Sequence, residues 1–348
     1  MGMYYGLLAM ICFIAVLSRS LKDKNSRNAF VVISSGVLIV VLQGLRHPTV
    51  GTDIQTYLYA VDLSQNLKLF GNDGVFNFDI GFAFLIKLFA KLEISDVFIL
   101  FIFSGVIISP ILYTVYRKSK SPFLSIVIFI CLGLFAFTFS GIRQSIALAL
   151  TFYAFKFIEE RKILKFAFCV TVAALFHQTA IVFFIAYPLY SVVIKRSHIW
   201  ITFVGMIVIY VFRAQIYVYV HSVLRGYSPS LENTGAYTML FFLIVVYVFS
   251  YVFSVNAGKD RTFLAYRNYI LIAIVIQLFA SVSNTIMRAG FYYYIFIILL
   301  IPELLTQQKN NYLRLIITVL VIGISIFFFQ YQTGRGYLDV SPYRFFWE

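Results

Sequence analysis

The sequence reads as an all-α polytopic membrane protein, on three grounds. Of its 348 residues, 61% are hydrophobic and only 12% charged, whereas soluble domains run near ~25% charged. The apolar residues gather into runs close to the ~20 residues that cross a bilayer. The basic residues fall mostly in the breaks between those runs, so the net charge of +14 encodes topology rather than nucleic-acid binding. A water-soluble catalytic domain is excluded, because no stretch of the chain is left for one. Cys12, Cys131 and Cys169 all lie inside apolar runs, which excludes a disulfide framework or a cysteine-rich metal site.

The first run, Met3 to Ser18, has no basic residue before it and Arg19, Lys22, Lys24 and Arg27 just after it. A cleaved signal peptide has the opposite order, and the positive-inside rule places the N-terminus outside. Twelve spans follow: 3–18, 29–45, 96–116, 122–139, 142–158, 163–177, 179–194, 199–212, 237–255, 268–286, 289–305 and 313–329. Seventeen basic residues then face the cytoplasm, ten face outward and Lys156 lies within a span. The apolar stretch Ile80 to Glu93 is too short to cross, and a crossing there would force Arg117, Lys118 and Lys120 outside. It is expected to be an interfacial or re-entrant helix. The outer segments are 46–79, 213–236 and the tail 330–348, and the whole chain, 1–348, reads as one integral-membrane domain with function concentrated in those loops.

Seven of the ten outer basic residues are arginine, against eight of seventeen inside. Either residue satisfies topology, but the guanidinium fork suits two-pronged binding of phosphate or carboxylate, so an anionic ligand outside is expected beside ordinary headgroup anchoring. Arg143, followed by Gln144, and Arg288 are both placed at the start of a helix. Unpaired N–H groups and the positive end of the dipole there make an anion site; snorkelling to the interface is the plain alternative. His177 lies only 12 residues from Lys165, a rise of about 18 Å, so its turn is expected below the outer surface, where an ionisable side chain marks function and an imidazole suits proton transfer. A neutral histidine bonded across helices is the alternative. Asp53 follows Pro48 and Gly51 and either caps the helix running through Tyr57 or takes part in chemistry. The outer acids form no Asp-x-Asp pair and no His-x-x-x-His occurs, so no metal site is expected.

These residues form an ordered set: Leu45-Arg46 to Gly51-Thr52-Asp53 with Tyr57, Arg143-Gln144-Ser145-Ile146-Ala147, Phe176-His177-Gln178-Thr179-Ala180, Met287-Arg288 with Tyr292 to Tyr294 and Ile301-Pro302, and Pro342-Tyr343. The set resembles the EpsG/Wzy-type polymerases of bacterial surface polysaccharides. The resemblance implies a GT-C-like glycosyltransferase of the cytoplasmic membrane, with its site facing the periplasm or cell exterior. It implies polymerisation of undecaprenyl-diphosphate-linked oligosaccharide repeat units, as donor and acceptor, into O-antigen, capsule or exopolysaccharide, with release of undecaprenyl diphosphate. Arg143 and Arg288, assisted by Arg46, would hold the donor diphosphate; His177 or Asp53 would activate the acceptor hydroxyl; Tyr57, Tyr292 and Tyr293 would stack on sugars. No cofactor and no nucleic acid is implied; membrane lipids and a polysaccharide chain-length regulator are the other expected partners. A flippase for the same lipid and an O-antigen ligase are the competing readings. A membrane acyltransferase is disfavoured because its acyl-CoA is cytoplasmic.

Overall fold

The computed structural model describes residues 2–69, 78–225, 237–252 and 260–348. Among these residues the chain is helical, with no strand and one isolated bridge, Arg46 to Phe345. The backbone packs as two compact units, the second being Val182–Lys309, which interrupts the first along the chain.

The first unit holds α1 (Gly2–Leu17), α2 (Lys24–Gly44), α3 (Ile54–Leu63), α4 (Ile80–Lys91), α5 (Asp96–Lys118), α6 (Pro122–Cys131), α7 (Leu134–Ser140), α8 (Ile142–Glu159) and α9 (Ile163–Phe176). Packing runs from α1 through α2 and α5 to α8 and α9, with α4 against α3 and α9. Asp23 caps α2 by accepting the Ser26 N–H at 2.7 Å, the arrangement that satisfies an otherwise unpaired donor at a helix start. Where a single span 122–139 is expected, α6 and α7 are bent 58° from one another.

The second unit holds α10 (Ala186–Leu189), α11 (Ile199–Arg225), α12 (Tyr237–Val252), α13 (Arg261–Gln277), α14 (Asn284–Ala289), α15 (Phe291–Tyr294) and α16 (Ile297–Thr306). Its centre is α13, packed against α10, α12, α14, α15 and α16. Asn268 donates to the Leu189 and Val192 carbonyls at 3.1 and 2.8 Å, and Arg267 to the Ile194 carbonyl at 3.1 Å. These bonds satisfy carbonyls released where α10 ends. Finally α17 (Asn311–Gly334) returns to the first unit and packs on α6.

Six described helices are long and apolar enough to cross a membrane, or seven with α6 and α7 as one broken span. The twelve crossings read from the sequence are therefore not matched by twelve such helices. The expected span 179–194 is a 3-10 stretch, Gln178–Ile185, followed by the four-residue α10. The 14 residues of α9 rise about 21 Å and the 12 of α4 about 18 Å, both short of a ~30 Å core. For α4 this is the short helix expected from the sequence. Conversely α11 continues to Arg225 and α17 to Gly334, so the outer loop expected from 213 and the tail expected from 330 begin in helix. The remainder of that loop, 226–236, and residues 70–77 of the first outer segment lie outside the described residues. Leucine, isoleucine, valine and phenylalanine side chains stand exposed along α1, α11 and α17, as lipid-facing helices require. The chain is a membrane protein.

Candidate functional site

The N-terminal ends of α3, α4 and α8 and the C-terminal end of α9 converge in the first unit, and Arg143, Asp79 and His177 meet there. Arg143 is the second residue of α8, which starts after Gly141. Its Nη1 donates to Asp79 Oδ2 at 3.3 Å, and its guanidinium lies 5.1 Å from the centre of the Phe78 ring. The same Asp79 oxygen stands 3.6 Å from His177 Nδ1, while Asp79 Oδ1 accepts the Gln178 N–H at 3.2 Å. His177 ends α9 by adopting an extended backbone, φ −155° and ψ 112°, which turns the chain into the 3-10 stretch. Side chains of all three are 22–27% exposed among the described residues, so the cluster is partly buried.

Asp79 and Asp53 each occupy the N-cap position of their helix, and neither side chain caps it. Of the two roles the sequence leaves to Asp53, the position is that of a cap, but the carboxylate accepts from Thr52 Oγ1 at 3.3 Å and from the Tyr57 hydroxyl at 3.4 Å. Tyr57 is buried, with its ring edge-on to Phe78 and Phe82. Burial, reinforced by the Asp53 charge and opposed by Arg143, pushes the Tyr57 hydroxyl up to about 12, so it is a proton donor at neutral pH. Buried in this way, the ring presents little surface for the sugar stacking expected of it, while its hydroxyl bonds Asp53. Asp79, to which the sequence alone assigns no role, is the residue that joins Arg143 to His177.

Two contacts hold this arrangement together. A Cβ on Gly81 would fall 2.9 Å from the Leu175 carbonyl oxygen, so glycine there lets α4 approach the end of α9 and brings Asp79 to His177. The loop bearing Asp53 is tied to α7 by Ser140, whose Oγ accepts the Thr52 N–H at 3.0 Å and donates to the Leu338 carbonyl at 3.0 Å. The C-terminal segment adds Gly51 N–H to Asp339 O at 3.1 Å, His47 N–H to Arg344 O at 2.9 Å and Phe346 N–H to Leu45 O at 2.9 Å.

Other expected site residues lie elsewhere. Arg46 is fully buried, 4.7 Å from the Phe139 ring centre, and among the described residues none of its three guanidinium nitrogens has a hydrogen-bond partner. Burial pulls it down to about 9, with the Tyr4 and Tyr343 hydroxyls opposing, so it stays charged at pH 7. It is an interior residue rather than the exposed donor contact expected, because the C-terminal segment covers it. Gln144 is buried on α8. Arg288 is in the last turn of the six-residue α14, not at a helix start, because Ser283 caps that helix a turn earlier. Tyr292 and Tyr293 are fully buried in the second unit, Tyr293 donating to the Val182 carbonyl at 2.7 Å against Phe183 and Tyr269; neither ring presents a stacking face. Among the described residues no His, Cys, Asp and Glu cluster is arranged to hold a metal ion.

Helical membrane architecture with an Arg–Asp–His cluster at converging helix ends defines a polytopic membrane protein with a polar cluster in its first unit. More particularly, the chain belongs to the EpsG family, which matches residues 28–345 and includes Wzy-type polymerases. That membership suggests a polysaccharide polymerase role. No curated protein and no solved structure matches the chain.

Proposed function

We propose that this protein is a GT-C-like glycosyltransferase that polymerises undecaprenyl-diphosphate-linked oligosaccharide repeat units on the outer side of the cytoplasmic membrane, releasing undecaprenyl diphosphate. The product is an O-antigen, capsule or exopolysaccharide. The observation that carries the reading is the meeting of Arg143 and His177 through Asp79, beside three helix N-termini. Helix N-termini and a guanidinium together favour an anion, which a diphosphate leaving group supplies. Donor binding falls to Arg143 in this reading; Arg288, on the second unit, is the other candidate. His177 takes the proton of the acceptor hydroxyl, with Asp53 the alternative base. The acceptor oxygen attacks the anomeric carbon of the donor, and the bond from that carbon to the diphosphate breaks. Undecaprenyl diphosphate departs with the electron pair, its growing charge stabilised by Arg143. The lipid-linked donor and acceptor, surrounding lipids and a chain-length regulator are the proposed partners.

Purified protein reconstituted with a lipid-linked repeat unit is expected to produce a ladder of longer products. Transfer of intact substrate across vesicles without elongation would identify a transporter of the same lipid instead. Glycan appearing only on a lipid A core would identify a ligase.

A further inference from the structure

The Asp79 carboxylate faces two cationic partners with one oxygen, at 3.3 Å from Arg143 Nη1 and 3.6 Å from His177 Nδ1. Neither distance is that of a tight charge-assisted bond, which runs near ~2.8 Å, so the carboxylate is divided between them. Its other oxygen is fixed by the Gln178 N–H, and it does not cap its own helix. We propose that Asp79 is a positioning residue shared in this way only while Arg143 lacks an anion: when a diphosphate occupies Arg143, Asp79 pairs with His177 and makes its imidazole a stronger base.

Anion binding neutralises Arg143, which removes the competitor for the carboxylate. Asp79 then accepts the Nδ1–H of His177, fixing the tautomer that leaves Nε2 free to take a proton and stabilising the imidazolium that forms. Substrate binding at one group thereby prepares the other. Among the described residues, Asp79 at the start of α4 is the charged group recorded against His177, with Arg143 at the start of α8 on the same Asp79 oxygen. Lys87 and Lys91 lie at least two turns further along α4, Lys156 and Glu159 at the far end of α8, and Lys165 three turns back along α9. The proposal rests on the polymerase reading for the identity of the anion, not for the pairing itself.

The test is a histidine NMR titration of the full-length protein, with and without saturating inorganic pyrophosphate, in wild type and in Asp79→Asn. There are four histidines, and His177→Gln identifies the resonance. Loss of a neighbouring anion lowers an imidazole pKa, by about one unit or more, so His177 is expected to titrate lower in Asp79→Asn. The gap between the two proteins is expected to widen with pyrophosphate. Asp79→Glu, which retains the charge, is expected to titrate close to wild type and serves alone if the asparagine variant does not fold. Equal midpoints in wild type and Asp79→Asn, a gap that pyrophosphate leaves unchanged, or an Asp79→Glu midpoint unmoved by pyrophosphate where wild type shifts would each overturn the proposal. Failure of the wild type to make a ladder would sink the polymerase reading instead, leaving this titration to decide the pairing.

Discussion

The guanidinium of Arg46 lies 4.7 Å from the centre of the Phe139 ring and is wholly buried. Among the described residues it has no hydrogen-bond partner, and such a charge costs free energy that stacking on one ring, about 2 kcal/mol when desolvated, does not offset. The C-terminal segment keeps it covered through Tyr343 and Phe345. Arg46→Met, which keeps an unbranched apolar side chain and removes the charge, is expected to leave the melting temperature in detergent unchanged or higher. A clear fall would show that the buried charge has a stabilising partner.

Arg143 stands at the start of α8 with its charge pointed at Asp79. Arg143→Ala is expected to collapse product length to single repeats with the protein level intact, and Arg143→Lys to recover only part of the ladder, since a point charge does not reproduce the two-pronged fork. An unchanged ladder in Arg143→Ala removes this residue from the site. Arg288→Ala, measured alongside, decides whether Arg288 is needed for elongation.

His177 is the first choice of base. His177→Gln preserves a polar side chain but abolishes proton uptake, and turnover is expected to fall by about 10²–10⁴-fold. Full turnover in this variant would move the role to Asp53, for which Asp53→Asn is the matching measurement.

Gly51 has φ +108°, and a Cβ there would fall 2.5 Å from the Phe139 carbonyl oxygen. Gly51→Ala combines a backbone penalty of about 1–3 kcal/mol with that clash, in the loop that delivers Asp53. Thermal unfolding is expected to drop by several degrees, and product length to shorten with it; an unaltered melting temperature would show that the loop relaxes freely.

Tyr57 ionises near 10 in an unfolded chain and is pushed up to about 12 when folded. The folded state thus holds a proton that the unfolded state releases, and the stabilisation is complete below pH 10 and lost as pH rises through 12. In Tyr57→Phe the stability loss between pH 10 and 12, followed by chemical denaturation, is expected to be shallower than in wild type. Parallel curves would place the hydroxyl in contact with solvent.

Much of this site is legible in the amino-acid sequence. Arg143 reads as the start of a helix, and the turn at His177 as lying below the outer surface; both follow from local pattern. Asp79 is not legible, because nothing near it in the chain distinguishes it from the other outer acids. What gives it a place is contact with residues 64 and 99 positions away. The same holds for Arg46: its chain position suggests an exposed loop arginine, and it is covered by a tail almost 300 residues later.

Local composition is enough to make the protein helical and membrane-embedded, because hydrophobicity and charge act residue by residue and each apolar run meets lipid or protein with the same preference. Short motifs in a fixed order carry the family as well. Long-range packing settles the rest: which apolar runs stay whole, which arginines remain accessible, and that Tyr292 and Tyr293 are core. Burial and hydrogen bonding depend on approach between distant segments, such as α4 against α9 at Gly81, and no local pattern records which of several chemically similar faces will meet.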